Sequence, residues 1–316
     1  MMHGRVGACL GAAALGALMA LSACTASEAA APAPEAAAPE PIASASSAPV
    51  PTPVAAQSAP ALDVRPGFAE LEGEFTQGGW IKGLAPSNTA TLSLNDAPIT
   101  LGQDGLFFAA FDRDSDATAT LKATMANGSV VSDEVTVSPR KWQISRVNVN
   151  RGRGRNLEAY WKKREPEHNA IVAARAKKTG AQGWKQDFIW PVKGRISGRF
   201  GRQRIYRDEA GSYHSGIDIA PGNGVPFVSP ADGVVVLARS GFSFEGKLLI
   251  VDHGAGLNSA FLHCSKIAVK EGDSVKQGQY IGNVGSTGRS TGPHLHWGVK
   301  WGDARFDPIL LVGPMN

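Results

Sequence analysis

The sequence GKLLIVDHGAGLNSAFLHC, residues 246–264, decides the fold of the C-terminal part of the chain. It consists of two apolar runs joined by a glycine-rich turn, a pattern typical of paired β-strands. Segments of the same character surround it at residues 189–201, 229–241 and 269–288. No long helical pattern interrupts them. Residues 188–316 are therefore predicted to form an antiparallel all-β domain, in a chain that is mainly β.

Residues 63–140 also alternate apolar and polar residues, and turn pairs divide them into short segments. The pairs are Asn95-Asp96, Asp104-Gly105 and Asn127-Gly128, and each is typical of a β-hairpin. Strands of this length and spacing predict a small, immunoglobulin-like β-sandwich. The segment contains no cluster of catalytic residue types, so it is interpreted as a spacer or a binding module.

The connector between these two parts, residues 141–187, is basic. From Arg140 to Lys185 the sequence has thirteen Lys and Arg residues against three Glu. Residues 157–164 and 168–178 are predicted to form two short helices separated by Pro166. The charge is interpreted as a solvated helical surface, with contact to a polyanion as the alternative. No nucleic-acid-binding fold accompanies it, so no nucleic-acid partner is predicted.

The N-terminus is predicted to direct export. Residues 1–23 combine an early arginine with an apolar Ala/Leu/Gly stretch, as in a secretory signal peptide. Leu21-Ser22-Ala23-Cys24 resembles the bacterial lipobox, which implies lipid attachment at Cys24 and a membrane anchor. Residues 24–62 are rich in Ala, Pro and Ser and are predicted to be a disordered tether. The expected product is an exported lipoprotein, anchored in the outer membrane and facing the periplasm.

Charge and cysteine content agree with export. The net charge of +4 and the pI near 9.0 favour contact with an anionic polymer. Of the three cysteines, Cys9 lies in the predicted signal peptide and Cys24 carries the predicted lipid. Cys264 is then the single remaining thiol, which excludes an internal disulfide framework.

Five titratable side chains of metal-ligand type come from three separate segments of the predicted β-domain. His214 and Asp218 lie in YHSGIDIA, His263 lies in FLHC, and His294 and His296 lie in GPHLHWGV. A single histidine is commonly structural, but this combination indicates a metal site. Three His or Asp ligands with an open fourth position are typical of catalytic zinc.

Spacing constrains how these residues can share one ion. In a regular strand His214 and Asp218 would stand roughly 13 Å apart, so the chain must bend between them, most easily at Gly216. His294 and His296 would lie roughly 6–7 Å apart on one face of a strand. One of them can then bind the metal while the other acts on water. The five side chains therefore divide into three ligands and two catalytic helpers.

These motifs resemble the lysostaphin-type (LytM-type) zinc metallopeptidases, which cut peptide bonds in bacterial cell-wall peptidoglycan. The similarity covers residues 189–311 and includes the late Asp307-Pro308. It implies a small antiparallel domain of the duplicated hybrid motif type, one zinc ion per chain, and peptidoglycan peptide stems as the substrate. The resemblance makes the zinc ligands His214, Asp218 and His296. It makes His263 and His294 the catalytic pair that orients water and stabilises the transition state.

The resemblance leaves one alternative function open. Catalytically silent relatives share this fold but have lost metal ligands, and they activate a separate cell-wall amidase. Here all five positions are present. A regulatory protein partner is compatible with either function. The turns are also typical of biotinyl or lipoyl carrier domains, but Lys247 lacks the Met-Lys-Met setting of a biotin acceptor, so that interpretation is rejected.

Three further features of this region are interpreted as structural. Cys264 stands where the family usually has Leu or Met, and it is predicted to be a small core residue. His253 lies at a glycine-rich turn, and no catalytic role is assigned to it. Residues 202–213 are polar and are predicted to be a loop, either simply exposed or shaping the groove over the metal.

Overall fold

The computed structural model describes residues 66–149, 157–207 and 209–315. The predicted signal peptide, Cys24 and the predicted tether lie outside these residues. The described chain is mainly β, as predicted. Among its helices none combines the length and the apolar character needed to cross a bilayer.

The first part of the described chain forms two small antiparallel sheets. One sheet has the order β1-β2-β5 and the other the order β4-β3-β6-β7. Two of the predicted hairpin turns are confirmed, since Asn95 has φ 51° between the paired strands β3 and β4 and Gly128 has φ 85° between the paired strands β6 and β7. Gly105 also has a positive φ of 80°, but β4 and β5 on either side of it belong to different sheets, so the hairpin predicted there is wrong. The strands are β1 Ala69–Gly73, β2 Trp80–Leu84, β3 Thr89–Leu94, β4 Ala97–Ile99, β5 Leu106–Ala110, β6 Thr118–Met125 and β7 Val130–Thr136.

The connector contains one continuous helix where the sequence predicts two. Strand β8, Ile144–Val147, precedes helix α1, Leu157–Arg175, and Pro166 lies inside that helix. A proline in a helix interior removes one hydrogen bond and favours a break. Here the residues flanking it are held by tertiary contacts. Arg164 binds Glu245, and Glu167 binds Ser243, so both halves of α1 are fixed on the same surface. A short 3-10 helix, Gly183–Lys185, follows.

The C-terminal part is built on an eight-stranded sheet of order β18-β14-β15-β16-β20-β12-β9, with β21 paired to β20. The sequence GKLLIVDHGAGLNSAFLHC forms its central hairpin, β15 and β16. A smaller sheet has the order β13-β19-β17. The elements are β9 Arg195–Gly198, β10 Gln203–Tyr206, β11 Glu209–Ala210, β12 Ile217–Ala220, β13 Pro226–Val228, β14 Gly233–Phe242, β15 Gly246–Gly254, β16 Leu257–Leu262, β17 Lys266–Ile267, β18 Ser274–Val275, β19 Tyr280–Asn283, β20 Leu295–Trp301, β21 Ala304–Phe306 and α2 Pro308–Val312.

Residues 202–213, predicted to be a loop, contain the short strands β10 and β11. Strand β10 pairs with β11 and also runs parallel to β8, with Ile205 opposite both Ala210 and Arg146. Backbone groups that a loop would leave to water are therefore bonded to the connector. The partner strand lies some sixty residues earlier in the chain, which is why a local reading of residues 202–213 misses it.

The sheet has two differently covered faces. Register places Leu262 opposite His296, and His296 opposite Asp218, so these three side chains share one face. On the same face, Ala260 and Leu262 pack with Ile250 and with Ala170, Ile171 and Ala174 of α1. This face is called the α1 face below. The opposite face carries Leu249, Phe261 and Trp297 in the main core.

The β-sandwich and the large sheet share that main core. Phe108 of the sandwich stacks on Trp80 and lies with its ring centroid 5.9 Å from that of Phe306. The indole of Trp80 donates to the carbonyl of Leu310 at 2.8 Å. The interpretation of residues 63–140 as a spacer does not account for this packing, because these side chains are buried between the two parts.

Candidate metal centre

Three side chains on the α1 face converge on one point. They are His214, which precedes β12, Asp218 in β12 and His296 in β20, and they are called the trio below. Nε2 of His214, Oδ1 of Asp218 and Nδ1 of His296 lie 3.0 Å from one another in every pair. Asp218 and His296 meet because they are direct partners across the antiparallel pair β12–β20.

The predicted bend brings His214 to the other two. Gly216 is the bend residue, and it is needed for space. A Cβ there would lie 2.8 Å from Nε2 of His296 and 2.5 Å from the carbonyl oxygen of Trp297. The glycine lets the chain cross directly over the His296 ring, and the strand resumes at Ile217.

The donor atoms of the trio fit a metal ion. Nδ1 of His214 donates to the carbonyl oxygen of Arg199 at 3.0 Å, which leaves the Nε2 lone pair directed at the other two ligands. Three lone-pair donors held 3.0 Å apart repel one another unless a cation or proton lies between them. Zinc with bonds of about 2.0–2.1 Å in a tetrahedron requires ligand atoms about 3.3 Å apart, close to the spacing observed here.

Electrostatics in the trio favour an anionic Asp218. Burial opposes its charge, but hydrogen bonds from His214 and His296 outweigh burial and hold its pKa far below the usual range. For His214, burial is likewise outweighed, by the Asp218 carboxylate, and its pKa is raised. Burial dominates at His296 and lowers its pKa. Of the two histidines in the trio, His214 is therefore the one that holds a proton more tightly, and a metal must displace that proton at low pH.

His263 and His294 stand beside the trio. Their ring centroids are 4.9 Å apart, and Nε2 of His294 lies 3.6 Å from Oδ1 of Asp218. His263 Nδ1 donates to the carbonyl of Thr287 at 2.8 Å, and His294 Nδ1 donates to the carbonyl of Gly292 at 2.8 Å. Both rings thus have Nε2 available for water or substrate. Burial is the largest cause that lowers the pKa of His263, and the neighbouring His294 lowers it further, so the His263 ring is neutral near pH 7.

His263 has an unusual backbone conformation. Its φ is 65°, and strand β16 ends immediately before it, at Leu262. Its N–H donates to the carbonyl of Glu245 at 2.9 Å, which fixes it to the hairpin between β14 and β15. A non-glycine residue at positive φ is strained, and such strain concentrates at functional sites. Cys264, which follows, is fully buried in the core, and burial raises the pKa of its thiol to about 12.

Sequence reasoning missed two residues that support the centre. A Cβ on Gly198 would lie 2.2 Å from Oδ2 of Asp218, so only glycine leaves room for the carboxylate. Thr287 orients His263 through its carbonyl and accepts from the N–H of Lys247 through its hydroxyl. Both lie in glycine-rich stretches whose composition indicates turns, and no local signal separates these positions from ordinary turn residues.

His253, interpreted as structural, is remote from the trio and fully buried. Its Nδ1 donates to the carbonyl of Asp232 at 2.8 Å, and its Nε2 lies 2.9 Å from the hydroxyl of Ser259. Burial lowers its pKa to about 4. A neutral imidazole with both nitrogens satisfied is a core residue, in agreement with the interpretation from the sequence.

Comparison with known proteins identifies the region around the centre. Residues 212–308 match the model of Peptidase family M23. A crystal structure of a peptidase M23 from Pseudomonas aeruginosa superposes with a TM-score of 0.60 at 27% identity, covering 76% of this chain and 96% of that one. Residues 212–308 therefore form a peptidase M23 (LytM-type) domain.

Two curated relatives share this part of the chain. Peptidoglycan DD-endopeptidase ShyA of Vibrio cholerae is 41% identical over 111 residues, which cover 34% of this chain and 26% of that protein. The lipoprotein NlpD/LppB homolog of Pseudomonas aeruginosa is 36% identical over 130 residues, 41% of this chain and 40% of that protein. The matched region thus spans well under two thirds of the length of either relative.

Proposed function

We propose that the protein is a zinc-dependent endopeptidase that hydrolyses peptide cross-links of peptidoglycan. The observation that carries the proposal is the trio with its 3.0 Å spacing, next to two further histidines that present Nε2. His214, Asp218 and His296 would hold one Zn²⁺. The similarity to a protein named as a peptidoglycan DD-endopeptidase supports the substrate class.

The roles of the remaining residues follow from their hydrogen bonds. A bound Zn²⁺ would lower the pKa of water towards about 7 and polarise a carbonyl group. His263, neutral and oriented by Thr287, would accept a proton at Nε2 from the attacking water. His294, whose Nδ1 donates to the Gly292 carbonyl, would carry a second proton at Nε2 in its imidazolium form and donate from there to the oxyanion that develops on the scissile carbonyl. The proton that His263 has taken up at Nε2 then becomes available to the leaving amine.

The alternative is an activator of a separate cell-wall amidase. The relative from Pseudomonas aeruginosa favours it, because its name describes a lipoprotein and no peptidase activity. The complete trio favours the enzyme, since an activator has no need to keep three ligands and two oriented imidazoles together.

The decisive experiment is mass spectrometry of muropeptides from purified sacculi digested with the protein, with and without a zinc chelator. Chelator-sensitive conversion of cross-linked dimers to monomers is expected. Asp218→Asn should abolish both zinc retention and conversion, whereas Asp133→Asn, an exposed carboxylate on β7, should change neither. His294→Ala should lose conversion while keeping zinc. Release of whole peptides from glycan would instead indicate an amidase, and no conversion combined with stimulation of an added amidase would indicate the activator.

We further infer that the protein is an exported lipoprotein, attached through Cys24 to the outer membrane and facing the periplasm. The lipobox-like sequence at residues 21–24 carries this inference, and the relative named a lipoprotein supports it. Cys24→Ala should move the protein from the membrane fraction to the soluble periplasmic fraction. Continued membrane association of that variant would contradict the inference.

A further inference from the structure

A cavity of about 210 Å³ lies between helix α1 and the α1 face of the sheet. It starts at the metal centre, where His296 and Ser215 line it, and continues along β20 past Gly298 to Lys300. Arg175, near the C-terminal end of α1, lines the opposite side. A group bound in this cavity is therefore adjacent to a candidate metal ligand.

The walls of the cavity are strongly basic. Four cationic side chains line it, namely Arg164, Arg175, Lys300 and Arg305. Glu245 is the single carboxylate among the described lining residues, and Arg164 already binds it through two hydrogen bonds of 2.7 and 2.6 Å. Within the described part of the chain, the ammonium of Lys300 pairs with Asp303 alone, which is fully exposed and therefore a weak partner.

Arg175 supplies the clearest sign of an anion site. Part of its side chain is exposed, but its Nε atom is completely buried and has no hydrogen-bond partner among the described residues. Buried donors are nearly always paired. Burial, followed by the charge of Arg305, lowers the pKa of Arg175 to about 10, so its positive charge is poorly compensated. An anion in the cavity would supply both the acceptor and the counter-charge.

The rest of the lining indicates the kind of anion. The lining also includes six apolar side chains, namely Ile171 and Val172 on α1 and Leu248, Ile250, Ala260 and Leu262 on the sheet. An inorganic anion gains nothing from these apolar side chains, whereas a carboxylate on a short aliphatic residue matches both parts of the lining. The volume is below the range of about 300–1,000 Å³ typical of sites for drug-sized ligands, so it suits a small residue.

We propose that this cavity is a subsite for a carboxylate of the peptide substrate, bound by Arg175 together with Arg305 and Lys300. The identity of the ligand rests on the proposed peptidase function, but anion binding in the cavity needs no metal. Helix α1 supplies Arg175 and covers the cavity, so the connector takes part in substrate binding.

The test measures binding of N-acetyl-D-alanine to the chelator-treated protein by isothermal titration or NMR. Zinc is removed because it would itself bind a carboxylate. N-acetyl-D-alaninamide, which has the same shape without the charge, is the matched ligand control, and inorganic phosphate is the second. Binding of the acid is expected to be at least about tenfold tighter than binding of either control, and at least about tenfold weaker in Arg175→Gln. Arg146→Gln, an exposed arginine on β8, should leave it unchanged.

Equal binding of the acid and the amide, or unchanged binding to Arg175→Gln, would overturn the proposal. Phosphate binding as tight as the acid would overturn the carboxylate assignment. If Arg175→Gln does not fold, as judged by circular dichroism, Arg305→Gln decides, because that side chain is exposed. An inactive zinc-loaded protein that still binds the acid selectively would overturn the peptidase function and leave the anion site. An active protein without selective binding would overturn the subsite alone.

Discussion

Replacement of Gly198 by alanine should weaken zinc binding without unfolding the protein. The new Cβ would lie 2.2 Å from Oδ2 and 2.9 Å from Cγ of Asp218. Real contacts of this kind are at least about 3.0 Å, so the carboxylate must retreat by at least about 0.8 Å. Gly198 is absent from the positive-φ positions, so alanine meets no backbone penalty there.

The displacement is large compared with what a metal site tolerates. Metal–ligand distances must hold within about 0.2 Å, and the loss of one well-placed supporting contact typically lowers metal affinity by about 10- to 100-fold. A shift of at least 0.8 Å in Asp218 predicts a loss at the upper end of this range, about 2.7 kcal/mol of binding free energy.

The assay is competition for zinc with a chromophoric chelator of known affinity, combined with thermal melting of the metal-free proteins. Gly67→Ala is the matched control, since nothing lies within 4 Å of a Cβ at that position. Its zinc affinity should equal that of the parent protein. A Gly198→Ala variant that binds zinc within threefold of the parent would refute the reasoning, because Asp218 would then not be confined by the backbone at Gly198.

Three other predictions concern single titratable groups. The carboxylate of Asp218 outweighs burial and raises the pKa of His214, so zinc must displace a proton and its affinity should fall as the pH drops through that raised pKa. Calorimetry at pH 6 in buffers of different ionisation enthalpy should show about one proton released per zinc bound. The absence of proton release would contradict the assignment. Burial lowers the pKa of His253 from 6.5 to about 4, so the unfolded chain binds the proton more tightly than the folded protein does. The free energy of unfolding should therefore decline by about 3 kcal/mol as the pH falls from 6.5 to 4. Urea unfolding of His253→Gln over the same pH range should lack this decline. Burial raises the pKa of the Cys264 thiol to about 12, so iodoacetamide at pH 8 should label this thiol in urea but not in the folded protein. Rapid labelling under native conditions would contradict its burial.

The sequence predicts the five His and Asp residues of the centre better than it predicts the residues that hold them in position. His-x-x-x-Asp with an intervening glycine requires a bend, and His-x-His places two rings on one face, so local spacing accounts for the geometry within each motif. The meeting of the two motifs with each other and with His263 depends on the pairing of β12, β20 and β16, which local spacing does not specify. The positive φ of His263 does not follow, because it is set by bonds to the hairpin at Glu245 and to the segment at Thr287. These partners are close in space but lie 18 and 24 residues away from His263 along the chain.

The connector is a second region in which tertiary contacts override what the local sequence predicts. Pro166 predicts a break in the helix, and only the ion pair between Arg164 and Glu245 and the bonds of Glu167 to Ser243 explain its continuity. The basic composition of this segment predicts a solvated surface. The position of Arg175 inside a cavity depends on how α1 lies on the sheet, and no sequence period specifies that placement.

The core shared by the sandwich and the large sheet determines where heat-sensitive mutations can arise. Because Phe108 packs on both Trp80 and Phe306, we expect the two parts to unfold together on heating, in one cooperative transition. Replacing Phe108 by alanine would cost about 3–5 kcal/mol, a large fraction of the stability of an ordinary domain. A genetic screen for heat-sensitive loss of the metal centre would therefore recover mutations in a segment that contains none of its histidines.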